Sequence, residues 1–266
     1  MTNLWCHPRV LSSSRRRGSL HLVFALFLAF FFVACSDDES DFATRPSGGE
    51  SSSSAKSSSS SEYERVQCNV KTDENCIKDD RDGQTYKTVK IGDQVWMAEN
   101  LNFKTDSSFC YKNTAEYCEK YGRLYRWAAA VGKSESECGY GYTCSLPSGN
   151  IQGVCPNGWH LPSKAEWETL FNAVGGQSTA GKVLKSTSGW NSGGNGMDAF
   201  GFSALPAGIR NSIGGFSSEG GSADFWSSTE GDSYYAYGMY LYYLNDIAYL
   251  DYYDKDVGFS VRCIQD

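Results

Sequence analysis

Ten cysteines occur in this 266-residue chain. Two of them, Cys6 and Cys35, lie in or at the end of an apolar leader. The other eight are Cys68, Cys76, Cys110, Cys118, Cys138, Cys144, Cys155 and Cys263. An even set of cysteines downstream of an export leader reads as a disulfide framework. Such a set allows 105 connectivities, and sequence alone does not choose among them. Spacing suggests three local pairs, Cys68–Cys76, Cys110–Cys118 and Cys138–Cys144. Cys155 and Cys263 then remain for each other and close a loop of about 110 residues, worth about 4–5 kcal/mol in the chain-entropy account. A zinc site fits less well. No pair has the tight C-x-x-C spacing of zinc ribbons, and the globular part has one histidine to offer. The expectation is no metal and no cofactor.

The leader is short. Arg9, Arg15, Arg16 and Arg17 form a basic n-region, and residues 20–34 run apolar apart from His21. That run is too short for an ordinary spanning helix and matches the h-region of a secretory signal. It ends Phe32-Val33-Ala34-Cys35 and continues Ser36-Asp37-Asp38-Glu39. Small residues before a cysteine, then a polar stretch, resemble the bacterial lipobox, although that pattern favours Leu, Val or Ile where Phe32 stands. The resemblance implies a signal peptide over 1–35, with Cys35 as the lipid-modified N-terminus. A plain secretory signal cut near Ala34 and an uncleaved anchor are the alternatives. Ser36 after the lipid cysteine resembles an outer-membrane sorting signal. An acylated cysteine with several chains gives stable membrane attachment.

Residues 36–65 read as a disordered serine-rich tether. Gly48, Gly49 and two serine runs broken only by Ala55 and Lys56 bury too little apolar area to offset ordering entropy. A spacer that lifts a domain from a membrane is one reading, and a leftover low-complexity segment is the other. The chain has 24 basic and 31 acidic residues; four basic and no acidic ones precede Cys35, so the processed chain carries −11. That excludes nucleic acid as an expected partner, because phosphate neutralisation drives such binding.

Residues 66–266 suit one domain. Turns at Asp82-Gly83 and Gly92-Asp93 frame a hairpin of 85–91 and 94–97. A short helix is expected over 114–121, a strand over 123–127, a small alanine turn at 128–130 and a stapled loop over 132–158. Ser163 and Glu166 fit a capping box, and Trp167, Leu170, Phe171 and Val174 recur at helical spacing until Gly175-Gly176. A second short helix is expected near 179–186. From residue 200 the period becomes two. Strands are expected over 200–210, 224–228, 234–243, 247–253 and 259–264. One main helix followed by a late antiparallel meander argues for α+β.

Five stretches carry a family resemblance: DGQTYKTVKIGDQVWMAENLNF at 82–103, YGRLYRWAAA at 121–130, CPNGWHLPSKAEW at 155–167, FWSST at 225–229 and GFSVRC at 258–263. They resemble, in order, the motifs of the Fibrobacter succinogenes major paralogous domain, over roughly residues 80–266. That family is similar in fold to C-type-lectin-like and sulfatase-modifying-factor domains. The resemblance implies a mixed α+β domain with a long disulfide from the main helix region to the last strand, where Cys155 and Cys263 stand. It transfers no activity. Calcium-binding lectins use a Trp-Asn-Asp element, and here Leu244-Asn245-Asp246 has Leu for Trp. Sulfatase-modifying enzymes use reactive cysteines, and here all eight read as paired.

His160 is the remaining histidine. Trp159, Leu161 and Pro162 around it are packing and turn residues, so the expectation is a structural histidine bonded to backbone, with no catalytic residues assigned. Glu166 and Glu168 do not share a helix face. Asp251, Asp254 and Asp256 offer oxygen ligands but no EF-hand pattern. The functional lead is the aromatic run. Alternation puts Tyr240 and Tyr242 on one face, with Met239, Leu241 and Tyr243 on the other, and Trp226 precedes them. Trp226, Tyr240 and Tyr242 are the candidate ligand-binding residues, because exposed aromatics suit sugars or protein partners. Cross-strand aromatic pairing is the competing explanation. The expected function is a surface lipoprotein displaying a non-catalytic binding domain, for a polysaccharide or a surface protein. An enzyme of sulfatase-modifying or hydrolase type and a structural envelope component are the alternatives.

Overall fold

A computed structural model of the protein describes residues 67–266. The leader, Cys35 and the 36–65 tether lie outside the described residues. The folded unit begins with β1 (Cys76–Lys78) and the hairpin β2 (Thr85–Ile91)–β3 (Gln94–Met97). Short pieces follow: β4 (Ser108–Phe109), α1 (Ala115–Tyr121), β5 (Leu124–Tyr125), α2 (Trp127–Ala130), α3 (Glu135–Cys138) and β6 (Trp159–His160). The longer elements come next. These are α4 (Lys164–Ala173), α5 (Gln177–Leu184), the small hairpin β7 (Ile209–Arg210)–β8 (Phe216–Ser217), β9 (Ser222–Glu230), β10 (Tyr235–Tyr242) and β11 (Ala248–Asp254). The strands β12 (Phe259–Ser260) and β13 (Ile264–Gln265) complete a mixed α+β domain.

One sheet has the order β1-β2-β3-β13-β6 and another β11-β10-β9-β12-β5-β4. Side chains alternate across a strand, so neighbours in sequence feed two separate cores. Met97, Trp226 and Cys263 enter the first, while Trp96, Phe225 and Ile264 enter the second. The first core holds Trp127, Trp159, Leu161 and Phe259 and collects the loops of residues 101–161. In the second, the apolar faces of α4 and α5 pack on Phe225, Met239, Leu241 and Ala248.

Helix α4 starts where its capping box requires. Ser163 Oγ accepts from the Glu166 N–H, and the Glu166 carboxylate accepts from the Ser163 N–H at 2.8 Å. Its Trp167, Leu170, Phe171 and Val174 are all buried. All four expected disulfides form: Cys68–Cys76, Cys110–Cys118, Cys138–Cys144 and Cys155–Cys263.

Two expected strands differ. Residues 200–210 do not form a continuous strand; only Ile209–Arg210 pairs in a ladder. Gly201, Ser203 and Gly208 adopt positive φ, which turns the chain out of extended geometry. The carbonyls of Phe202 and Ser203 accept from the buried Arg262 guanidinium instead. Residues 259–264 also divide, β12 joining the larger sheet and β13 the other. Between them Arg262 is fully buried, its guanidinium 4.4 Å from the centre of the Phe202 ring, and it crosses from one sheet to the next. A charged residue in the middle of an apolar run marks that crossing.

Candidate functional site

Strands β9, β10 and β11 form an antiparallel ribbon at the end of the larger sheet, with β11 on the edge. Register decides which side chains meet. Tyr240 pairs with Asp224 on one side and Tyr249 on the other; Gly238 pairs with Trp226 and Asp251; Ala236 pairs with Tyr253; and Tyr242 pairs with Ser222. The opposite face of these strands carries Phe225, Met239 and Leu241 into the helix-covered core. The expected division, Tyr240 and Tyr242 apart from Met239 and Leu241, follows from that register.

The rings of Tyr240 and Tyr249 stack at 4.5 Å and 11°. Tyr253 meets Tyr240 edge-on at 6.1 Å and Phe259 at 5.0 Å. Gly238 makes room for this, since a Cβ there would come within 3.2 Å of the Tyr253 and Phe259 rings. Tyr242 is half-buried and lies edge-on to Tyr243 at 4.8 Å. Asn245 donates to the Tyr249 hydroxyl at 3.1 Å. Across from Tyr240 on β9 is Asp224, 6% exposed. It accepts a hydrogen bond from Ser222 Oγ through one oxygen, and the other oxygen accepts none. Burial pushes its carboxyl up to about 7, opposed only by that bond. Burial, then the neighbouring Tyr249 and Asp224, push the Tyr240 hydroxyl up to about 12.

Trp226 does not belong to this surface. It is 0% exposed, its indole N–H donates to the Tyr125 carbonyl at 2.7 Å, and its ring packs 4.5 Å from Phe259. Phe225 and Trp226 point into opposite cores because β9 is covered on both faces along that stretch. A ligand reaches neither ring, so Trp226 is corrected from a binding residue to a packing one.

The three aspartates near the last turn do not converge. Asp251 shares a face with Tyr249, Asp254 pairs opposite Tyr235 on the other face, and Asp256 lies beyond the strand. Among the described residues no group of three His, Cys, Asp or Glu side chains is placed to hold a metal ion. The Leu244-Asn245-Asp246 turn is occupied by a side chain of the protein itself. The Lys185 ammonium donates to the carbonyls of Tyr242 at 3.2 Å and Asn245 at 2.9 Å. Burial lowers its pKa, with Asp246 opposing.

His160 is held differently from the backbone-bonded expectation. Its side chain is 3% exposed, with Nε2 2.7 Å from Glu166 and Nδ1 2.7 Å from Asp266. Burial alone lowers its pKa, but the Glu166 and Asp266 carboxylates outweigh that and raise it. Both ring nitrogens are engaged, which leaves neither for proton abstraction in this arrangement. A polar cleft of about 560 Å³ lies elsewhere, between Lys87, Glu99, Glu119, Lys120 and Asp198. It brings carboxylates and ammonium groups together, and the Ser203 hydroxyl on its wall donates to the Asp198 carboxylate.

The residues that sequence reasoning missed are Asp224, Tyr249, Asp251 and Tyr253. Only cross-strand register brings them to Tyr240, and a register shift between Ala236 and Gly238 makes that register hard to count.

The assembly is a disulfide-stapled α+β domain with an aromatic, acidic sheet face. The model of the Fibrobacter succinogenes major domain matches residues 89–265, and the chain belongs to that family. No curated protein and no solved structure matches it. Four disulfides mark an extracytoplasmic protein.

Proposed function

We propose that this protein is a lipoprotein anchored through Cys35 and tethered by residues 36–65. It displays at the cell surface a non-catalytic, C-type-lectin-like domain that binds a glycan. The observation that carries the reading is the half-exposed tyrosine face of β10 and β11, with Tyr240, Tyr242 and Tyr249 beside an under-bonded buried carboxylate. Tyrosines present flat apolar rings with polar tips, which suits the apolar faces and hydroxyl rims of sugars. Cross-strand stacking serves stability as well, and the two roles coexist when one ring face stays open. The lipid anchor rests on the lipobox resemblance and the spacer composition, in agreement with the disulfides.

The test is a binding assay of the full-length protein against neutral and amine-bearing polysaccharides, alongside Tyr240→Ala. Binding that drops at least tenfold in the variant, with its circular dichroism unchanged, supports the reading. Absence of binding to every polysaccharide rejects it and favours an envelope-protein partner. Mass spectrometry of the membrane-extracted N-terminus checks acylation at Cys35.

A further inference from the structure

We propose that the tyrosine face takes a cationic group, the ammonium of an amine-bearing glycan, seated over the Tyr240 ring and against the free oxygen of Asp224. The inference rests on the glycan-binding reading and names the ligand chemistry of the same face.

The geometry is specific. Tyr249 covers one side of Tyr240 by parallel stacking at 4.5 Å, and Asp224 is the cross-strand neighbour on the other side. Tyr253 closes the arrangement edge-on, and Asp251 stands in the same phase opposite Gly238. Two carboxylates and three tyrosines therefore share one small area. Aromatic faces and carboxylates attract ligands of the same sign, a cation. A carboxylate that is more than nine-tenths buried, with one oxygen free of hydrogen bonds, is costly to keep ionised. A neutral sugar supplies hydroxyl donors but leaves that charge uncompensated. An anionic sugar or a phosphate meets repulsion from both aspartates.

The surrounding charges agree. Facing Asp224 are Ser222 on its own strand, Tyr240 and Tyr242 on β10, and Tyr249, Asp251 and Tyr253 on β11. From β12 the packed ring is Phe259. The groups that shift Asp224 and Tyr253 are all neutral or acidic. Ligand binding is then linked to ionisation of Asp224, whose carboxyl titrates at about 7. A cation that binds only the ionised form gains about tenfold in affinity between pH 6 and pH 8.

The experiment uses the full-length protein and three probes. A glucosamine hexamer and cellohexaose differ at the 2-position, amine against hydroxyl. Choline is a cation whose charge does not change with pH. The expected result is binding of the glucosamine hexamer at least tenfold tighter than cellohexaose at pH 7. Choline affinity rises about tenfold from pH 6 to pH 8. Asp224→Asn abolishes both the preference and the pH dependence. Equal binding of the two hexamers, or choline affinity indifferent to pH or to Asp224→Asn, overturns the inference while leaving glycan binding intact. Failure of every glycan overturns both. If Asp224→Asn does not fold, Asp251→Asn and Tyr240→Leu replace it, each expected to weaken choline binding several-fold, and unchanged binding counts against the site.

Discussion

The two cores of this domain are held by different means. Around the first, residues 68–155 form strands and helices of two to seven residues and carry seven of the eight cysteines in the described region; the eighth, Cys263, returns to join them. Cys138, Cys155 and Cys263 are themselves part of that core. The second core contains no cysteine. It is made by α4, α5 and the long β9–β11 ribbon, and it packs Trp96, Trp167, Phe202 and Phe225 with ring centres 4.7–6.3 Å apart. Short elements close few hydrogen-bonded turns for each residue ordered, so their cost is lowered by restricting the unfolded chain. Long elements that bury aromatic surface need no such help. Both cores bury aromatic surface, and the covalent cross-links belong to the first alone.

The largest effect that could break this comparison comes from the Cys155–Cys263 bond, which lies in the first core and whose loop encloses the α4, α5 and β9–β11 elements of the second. Replacing Cys155 and Cys263 by serine should cost about 4–5 kcal/mol, against about 2–3 for Cys68 and Cys76, from the closed-loop lengths. Urea unfolding of both double variants measures the difference. Equal losses mean the long bond is merely one staple among four. Next comes Trp167→Ala, expected to cost about 3–5 kcal/mol through the cavity it leaves. Calorimetry in the presence and absence of reductant sharpens the point. If the second core is independent of cross-links, the loss in this variant is similar in both conditions.

The smallest effect lies at the seam. His160 in β6 joins Asp266, just after β13, to Glu166 of α4. Its pKa is raised in the folded state, so its stabilisation is complete below the unfolded value near 6.5 and is lost as pH rises through the folded value. Asp224 acts in the same direction at lower pH, because its folded value of about 7 lies above the unfolded carboxylate value. Thermal midpoints between pH 6 and pH 9 should fall in the wild type. The fall above pH 7 should shrink in His160→Asn, while the fall below it shrinks in Asp224→Asn. Identical profiles in wild type and His160→Asn would remove the histidine from the seam.

Legibility in the sequence followed the same division. The α4 start was plain because Ser163, Glu166 and the Trp167–Leu170–Phe171 spacing are local signals. The cysteine spacings suggested the three local staples. The 200–210 segment was misread because its ladder partner is missing: the Arg262 guanidinium, some 60 residues away in sequence, takes the carbonyls instead. Trp226 was misplaced because alternation separates two faces but does not say that both are covered. Alternation put Tyr240 and Tyr242 on one face, whereas bringing Asp224 and Tyr249 beside Tyr240 needed the register of three strands. Contacts within one element are written in spacing, and contacts between elements are not.

The Cys68–Cys76 bond, near the start of the described chain, also has a mechanical meaning. Tension applied upstream of Gln67 reaches Cys68 first, and the disulfide hands it directly to Cys76 at the head of β1. Residues 69–75 therefore carry no load, and roughly 20 Å of chain is kept from being drawn out. Reduction of that bond would add this slack before the first strand pair yields. The loop behaves as a limiter whose setting is chemical, and it fixes how far a pulled domain can travel before its fold is at stake.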